Sequence, residues 1–131
     1  MRKQKKQQTL NVRISKAIWN LCNRKKKKLE VTKEWKEQLK NKIIDSICNR
    51  CKYCKKPITV GSFSIDHNIA LSRNGTNELD NLDIIDLDCN LFKGNLTGKE
   101  FSKLVEFLKP FPEMEKILRT RLKMSGFVYN E

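Results

Sequence analysis

The sequence predicts a small α+β protein in which a central unit of two short strands and a helix is flanked by N-terminal and C-terminal helices. Three observations lead there. Apolar residues recur at helical spacing in four segments, β-prone residues and turn formers cluster mid-chain, and 131 residues that are 38% hydrophobic suffice for one modest core. By segment, residues 1–47 read as a basic arm with two helices, 48–96 as the central unit and 97–131 as a C-terminal helical pair.

Each element has its own signal. Ile14, Ala17, Ile18, Leu21 and Cys22 fall at i, i+3, i+4, i+7 and i+8, an apolar stripe on a helix that Ser15 could cap. Trp35, Leu39, Ile43 and Ile47 step by four along a second helix starting at Thr32. Core packing is the expected use of both tryptophans and of Cys22. Segments 58–60 and 63–65, separated by Gly61 and Ser62, read as a tight hairpin with Asp66 and His67 at its end. Thr97 and Glu100 stand at capping-box spacing ahead of Phe101, Leu104, Val105 and Leu108, a helix that runs until Pro110. Pro112 opens the last helix, with Met114, Ile117, Leu118 and Leu122 as its stripe, Arg119, Arg121 and Lys123 in its final turns and Gly126 beyond. Leu10, Val12 and Ile14 also alternate with Asn11, Arg13 and Ser15 ahead of two helices, similar to a ribbon-helix-helix module whose paired strands would enter a major groove as a homodimer. A short extended lead-in to ordinary helices explains that pattern equally well.

The formal net charge of +13 is unevenly placed. Residues 1–28 hold 11 basic and no acidic side chains, leaving 17 basic against 15 acidic in the remainder. Such an arm suits a polyphosphate partner, and Arg13, Arg24, Lys25, Lys26, Lys27 and Lys28, with Arg73 from the central unit, are its candidate nucleic-acid contacts. A solubilising tail, or cations serving a helix C-terminus, is the plainer use of the same charges. No run approaches 18 apolar residues and no apolar segment follows Met1-Arg2-Lys3, so a soluble, cytoplasmic protein without membrane association is expected. Five cysteines, three of them at Cys48, Cys51 and Cys54, suit a metal site in a reducing compartment better than a disulfide framework.

Read as one string, the centre runs Cys51-x-x-Cys54, Asp66-His67, Asn74-Gly75, Asn81-Leu82, Cys89-Asn90 and Lys93. This order and spacing resembles the HNH endonuclease family, the ββα-metal nucleases. The resemblance implies a ββα-metal unit in which His67 is the general base, Asp66 and Asn90 are oxygen ligands of a catalytic Mg²⁺ or Mn²⁺, and Asn81 holds the loop that orients the histidine. Lys93, one helical turn beyond Asn90, is implied to reach the same phosphate. These roles match what phosphodiester hydrolysis requires: activated water, neutralised phosphoryl charge and a stabilised leaving oxygen.

Many members also carry a structural zinc held by two CxxC pairs. Here the second pair is Asp86-x-x-Cys89, so the implied Zn²⁺ set is Cys51, Cys54, Asp86 and Cys89, with Cys48 as a substitute fourth ligand. Asp86 is equally well placed as the N-cap of the helix bearing Cys89. The function implied is metal-dependent hydrolysis of DNA, one strand per active site, by a monomer or homodimer, with RNA as the other substrate class. A zinc-stabilised DNA-binding or regulatory module that does not cut is the competing reading, and the small size suits a phage or mobile-element protein.

Overall fold

The structure, a computed structural model, describes residues 2–23 and 30–124. Arg24, Lys25, Lys26, Lys27, Lys28 and Gly126 lie outside the described residues, as does the side chain of Lys123. Among the described residues, five α-helices flank a two-stranded antiparallel sheet, the α+β arrangement with a ββα unit expected from the sequence. They are α1 (Arg2–Cys22), α2 (Lys33–Ser46), α3 (Leu87–Lys93), α4 (Gly98–Leu108) and α5 (Pro112–Met124), and the strands are β1 (Phe63–His67) and β2 (Leu82–Asp86). Among the described residues no helix is long and apolar enough to cross a membrane.

The N-terminal segment is one helix. Leu10 pairs by spacing with Ile14 and not with Val12, which is exposed, so the stripe Leu10, Ile14, Ala17, Ile18 and Leu21 is helical throughout. The extended strand of a ribbon-helix-helix module is therefore absent from residues 10–15, and Ser15 lies inside α1 rather than capping it. Thr32 caps α2 as expected, its hydroxyl accepting from the Trp35 backbone at 3.1 Å. Leu39 and Ile43 are fully buried and join Ile14 and Ile18 of α1 with Leu82, Ile84 and Ile85 of β2 in one apolar cluster. The helical pair thus completes the core of the central unit.

The expected hairpin of 58–60 with 63–65 does not form. Ile58 spends its backbone on the loop before the first CxxC, donating to Asn49 at 2.8 Å and accepting from Cys48 at 3.0 Å. Thr59 then opens a turn closed by Ser62 and Phe63, and β1 pairs instead with β2 across a 14-residue connection, Asp66 opposite Asp83 and His67 opposite Leu82. That connection is compact. Asn74 takes a left-handed φ of 68°, and Gly75 donates to the Ala70 carbonyl at 2.9 Å where any Cβ would collide with the Ile69 carbonyl.

Thr97 and Glu100 form the full capping box of α4. In α5 the expected stripe is only half right. Leu118 and Leu122 are half-buried, whereas Met114 and Ile117 are exposed. Arg119 takes an inward place, its guanidinium 4.7 Å from the ring centroid of Phe92 and 3.6 Å from Cys89 Sγ.

Candidate active site

Side chains on an antiparallel strand alternate between faces, so Ser64 and Asp66 share one face of β1. α3 lies against it. Asp86 ends β2 and caps α3, its carboxylate accepting from the Asp88 backbone at 3.1 Å, which starts the helix where Asn90 and Lys93, one turn apart, meet β1. The Asn90 amide nitrogen donates to Ser64 Oγ and, at 3.4 Å, to the Ile65 carbonyl. With Nδ2 committed in this way, Asn90 Oδ1 has no partner although it is buried.

Asp66 and His67 are both 0% exposed. Oδ1 of Asp66 accepts from Lys93 Nζ at 3.1 Å, and the same ammonium donates to the His67 and Asn68 carbonyls at 3.0 and 3.4 Å. Burial lifts the Asp66 carboxyl to about 6 against the pull of Lys93. Its second oxygen, Oδ2, has no partner. Three buried side-chain polar atoms among the described residues lack a hydrogen bond, Tyr53 Oη, Asp66 Oδ2 and Asn90 Oδ1, and two belong to this site. An unpaired buried oxygen costs about 1–3 kcal/mol, so a pair of them on neighbouring elements calls for an occupant. One carboxylate oxygen and one amide oxygen are the hard donors that Mg²⁺ or Mn²⁺ prefers, so these residues fit such an ion.

Two residues position the histidine. Asn81 folds the connection onto β1: Oδ1 accepts from the Ile69 backbone at 2.9 Å, Nδ2 donates to the Ile69 and Thr76 carbonyls at 3.0 and 2.7 Å, and its own carbonyl accepts from Asn68 at 2.8 Å. Asn77 stands 2.7 Å from His67 Nε2 through Oδ1. Sequence reading missed Asn77, one polar residue of a turn-rich loop whose spacing from His67 carries no periodic signal. It also missed Ser64, which aims the Asn90 amide.

Lys93 is not where the resemblance put it. Its side chain is fully buried, so it grips Asp66 from behind and does not reach a phosphate in solvent. Arg73 is likewise engaged, pairing with Glu100 and donating to the Asn95 carbonyl at 3.3 Å. Arg13 lies on the exposed side of α1, beside a groove of about 290 Å³ lined by Arg13, Lys16, Asn20, Gly61, Phe63 and Ser64.

A second centre also draws on α3, through Cys89. The sulfurs of Cys51, Cys54 and Cys89 all lie within 4.8 Å of one another. The knuckle that presents the first two closes through Lys55, whose φ of 64° lets its N–H reach the Cys51 carbonyl at 2.9 Å. Cys51 is held down to about 4, first by a hydrogen bond from the Cys89 thiol and then, against burial, by backbone N–H groups of Asp86, Cys54 and Tyr53; Cys89 is pushed up correspondingly. Three soft donors, one already favouring its thiolate, fit Zn²⁺. Asp86, one of whose carboxylate oxygens caps α3, is not part of this cluster, and exposed Cys48 lies outside it as well. Arg119 stands at Cys89 instead.

Residues 51–96 match the family model described as HNH endonuclease, which bears out the resemblance read from the sequence and points to nuclease activity in general terms. The match begins at the first knuckle cysteine and ends just before α4, so α1, α2, α4 and α5 lie beyond it. No curated protein and no solved structure matches the chain.

Proposed function

We propose that the protein is a metal-dependent endonuclease that hydrolyses a phosphodiester of DNA, cutting one strand per active site. The observation that carries this reading is the pair of buried, unpartnered oxygens, Asp66 Oδ2 and Asn90 Oδ1, next to the only histidine of the chain. Those two atoms would hold a single Mg²⁺ or Mn²⁺, which when bound supplies positive charge to the scissile phosphate and its leaving oxygen.

The remaining work belongs to the chain. His67, in its neutral form, accepts a proton from the attacking water. Asp66 is kept in place by Lys93, and Asn90 is turned toward the site because Ser64 and the Ile65 carbonyl take its amide hydrogens. Arg13 and Lys16 flank a groove that reaches Ser64, and Ser64 receives the Asn90 amide, so a strand laid along α1 would meet cations on its way to the centre. Binding through such contacts reads the backbone more than the bases. Zn²⁺ held by Cys51, Cys54 and Cys89 would pin the knuckle to the helix that carries Asn90.

Supercoiled plasmid incubated with purified protein and Mg²⁺ or Mn²⁺ tests the proposal. Open circles that appear with metal, vanish with chelator and are lost in His67→Ala are expected. Retarded but uncut plasmid under every divalent ion tried would replace the nuclease with a non-cutting DNA-binding module.

A further inference from the structure

The apolar stripe of α5 divides between two faces. Leu118 and Leu122 are half-buried, while Met114 and Ile117 stay 53% and 61% exposed. One i, i+3 step before Met114 is Phe111, 54% exposed, and its ring centroid lies 6.4 Å from that of Phe107, which is 71% exposed near the end of α4. Single exposed apolar residues are ordinary, but four large ones side by side mark a surface that something covers. At those exposures they present on the order of 400 Å² of apolar surface, half of the ~800 Å² that each partner of a stable interface contributes.

The charges around this face say what fits it. Glu113 and Arg121 are exposed and stand four residues before and four after Ile117, on its side of the helix. Among the described residues neither is in an ion pair, whereas Glu115 and Arg119, turned inward, pair with each other at 3.1 Å. When a second α5 lies antiparallel across the first with Ile117 against Ile117, Glu113 of each copy meets Arg121 of the other. Two ion pairs then bracket an apolar centre. A parallel arrangement sets Glu113 against Glu113 and Arg121 against Arg121, and a partner of one charge sign is opposed by one end of the face.

We infer that a second copy of this chain docks here, α5 against α5 in antiparallel register about a two-fold axis at Ile117, with Phe107, Phe111 and Met114 completing the apolar contact. The interface is tied to the active-site helix, because Arg119 of α5 lies against Phe92 and Cys89 of α3, the helix that carries Asn90. Docking therefore sets two centres in two-fold relation, a symmetry that the two strands of a duplex share. The consequence, one cut in each strand, rests on the nuclease reading above; the association does not depend on cleavage.

Sedimentation equilibrium of the full-length protein tests the association. The wild type is expected at twice the chain mass of 15.4 kDa, dissociating on dilution. Ile117→Glu sets two carboxylates against each other at the axis and weakens the dimer on the order of 100-fold, and because Ile117 is exposed the thermal melt of the fold is retained. Glu113→Arg weakens it about 10-fold, and Glu113→Arg combined with Arg121→Glu restores it, since the reversed pairs are complementary again. Supercoiled plasmid passes to linear DNA with the wild type and accumulates as open circles with Ile117→Glu. A wild type that is monomeric at every concentration overturns the inference and leaves the face to residues 125–131 or to a different protein. A dimer that Ile117→Glu does not weaken, or a double reversal no better than the single one, overturns it equally. A dimer of this kind that cuts no plasmid overturns the nuclease reading alone, whereas a monomer that nicks overturns only the docking.

Discussion

Lys93 Nζ lies 3.1 Å from Asp66 Oδ1, and both side chains are wholly shielded from solvent. A lysine three positions after Asn90 would ordinarily be solvated. Here the i, i+3 spacing on α3 puts it over the β1 carboxylate, where it compensates a buried charge and leaves the other carboxylate oxygen open. Lys93→Met strands that carboxylate in the core and is expected to cost about 3–5 kcal/mol in urea unfolding. Asp66→Leu combined with Lys93→Met should recover most of that loss while abolishing cleavage, and a double variant as unstable as the single would contradict the pairing.

Asn81 makes three side-chain hydrogen bonds that fold the connection back on itself. Asn81→Ala should destabilise the protein by about 1–3 kcal/mol. Because Asn77 sits in that connection, kcat for nicking should fall while affinity for duplex DNA, measured by fluorescence anisotropy, stays the same. A parallel loss of affinity would place Asn81 on the DNA instead.

Metal content tests the thiol cluster. Purified protein should carry one zinc per chain, and Cys51→Ser or Cys89→Ser should remove it. At free zinc about a hundredfold above the dissociation constant, binding adds about 2.7 kcal/mol, so stripping the metal should lower Tm by roughly 10 °C. A zinc content near zero with the fold and Tm intact would remove the site.

Glu100 has a pKa of about 2, lowered first by its hydrogen bond from Arg73 and next by the Thr97 backbone. For a carboxylate held below its unfolded value of about 4.3 the stabilisation is complete above that value and fades as pH falls through the folded one. The start of α4 should therefore stay capped at pH 3. A ¹³C titration of the Glu100 carboxyl should place its midpoint well under 4, and Arg73→Ala should return it toward 4.3. An unmoved midpoint in that variant would show that Arg73 is not engaged with Glu100 and is available to a phosphate.

What was legible in the sequence was what short-range chemistry writes into it. Thr32 and Thr97 cap helices because a hydroxyl at that offset has an orphan N–H to satisfy, and Asp66, His67 and Asn90 stand out because their residue types and order are few. The partner of β1 was not legible. Segment 58–60 is as β-prone as 82–86, and only the commitment of Ile58 to Cys48 and Asn49 takes it out of the sheet. The burial of Lys93 ran against the usual exposure of lysine, and the inward turn of Arg119 depends on Phe92 and Cys89, which lie about 30 residues away. Asn77 meets His67 only because Asn81, Lys42 and Trp35 close the loop around it, and no local pattern encodes that.

The most direct test of the central claim is the anomalous scattering of a crystal soaked in Mn²⁺. The account predicts one manganese beside His67, ligated by Asp66 Oδ2 and Asn90 Oδ1 at about 2.1 Å, with Lys93 still on Asp66 Oδ1. A manganese bound elsewhere with both oxygens still unliganded, or none at a concentration that supports nicking, would contradict it.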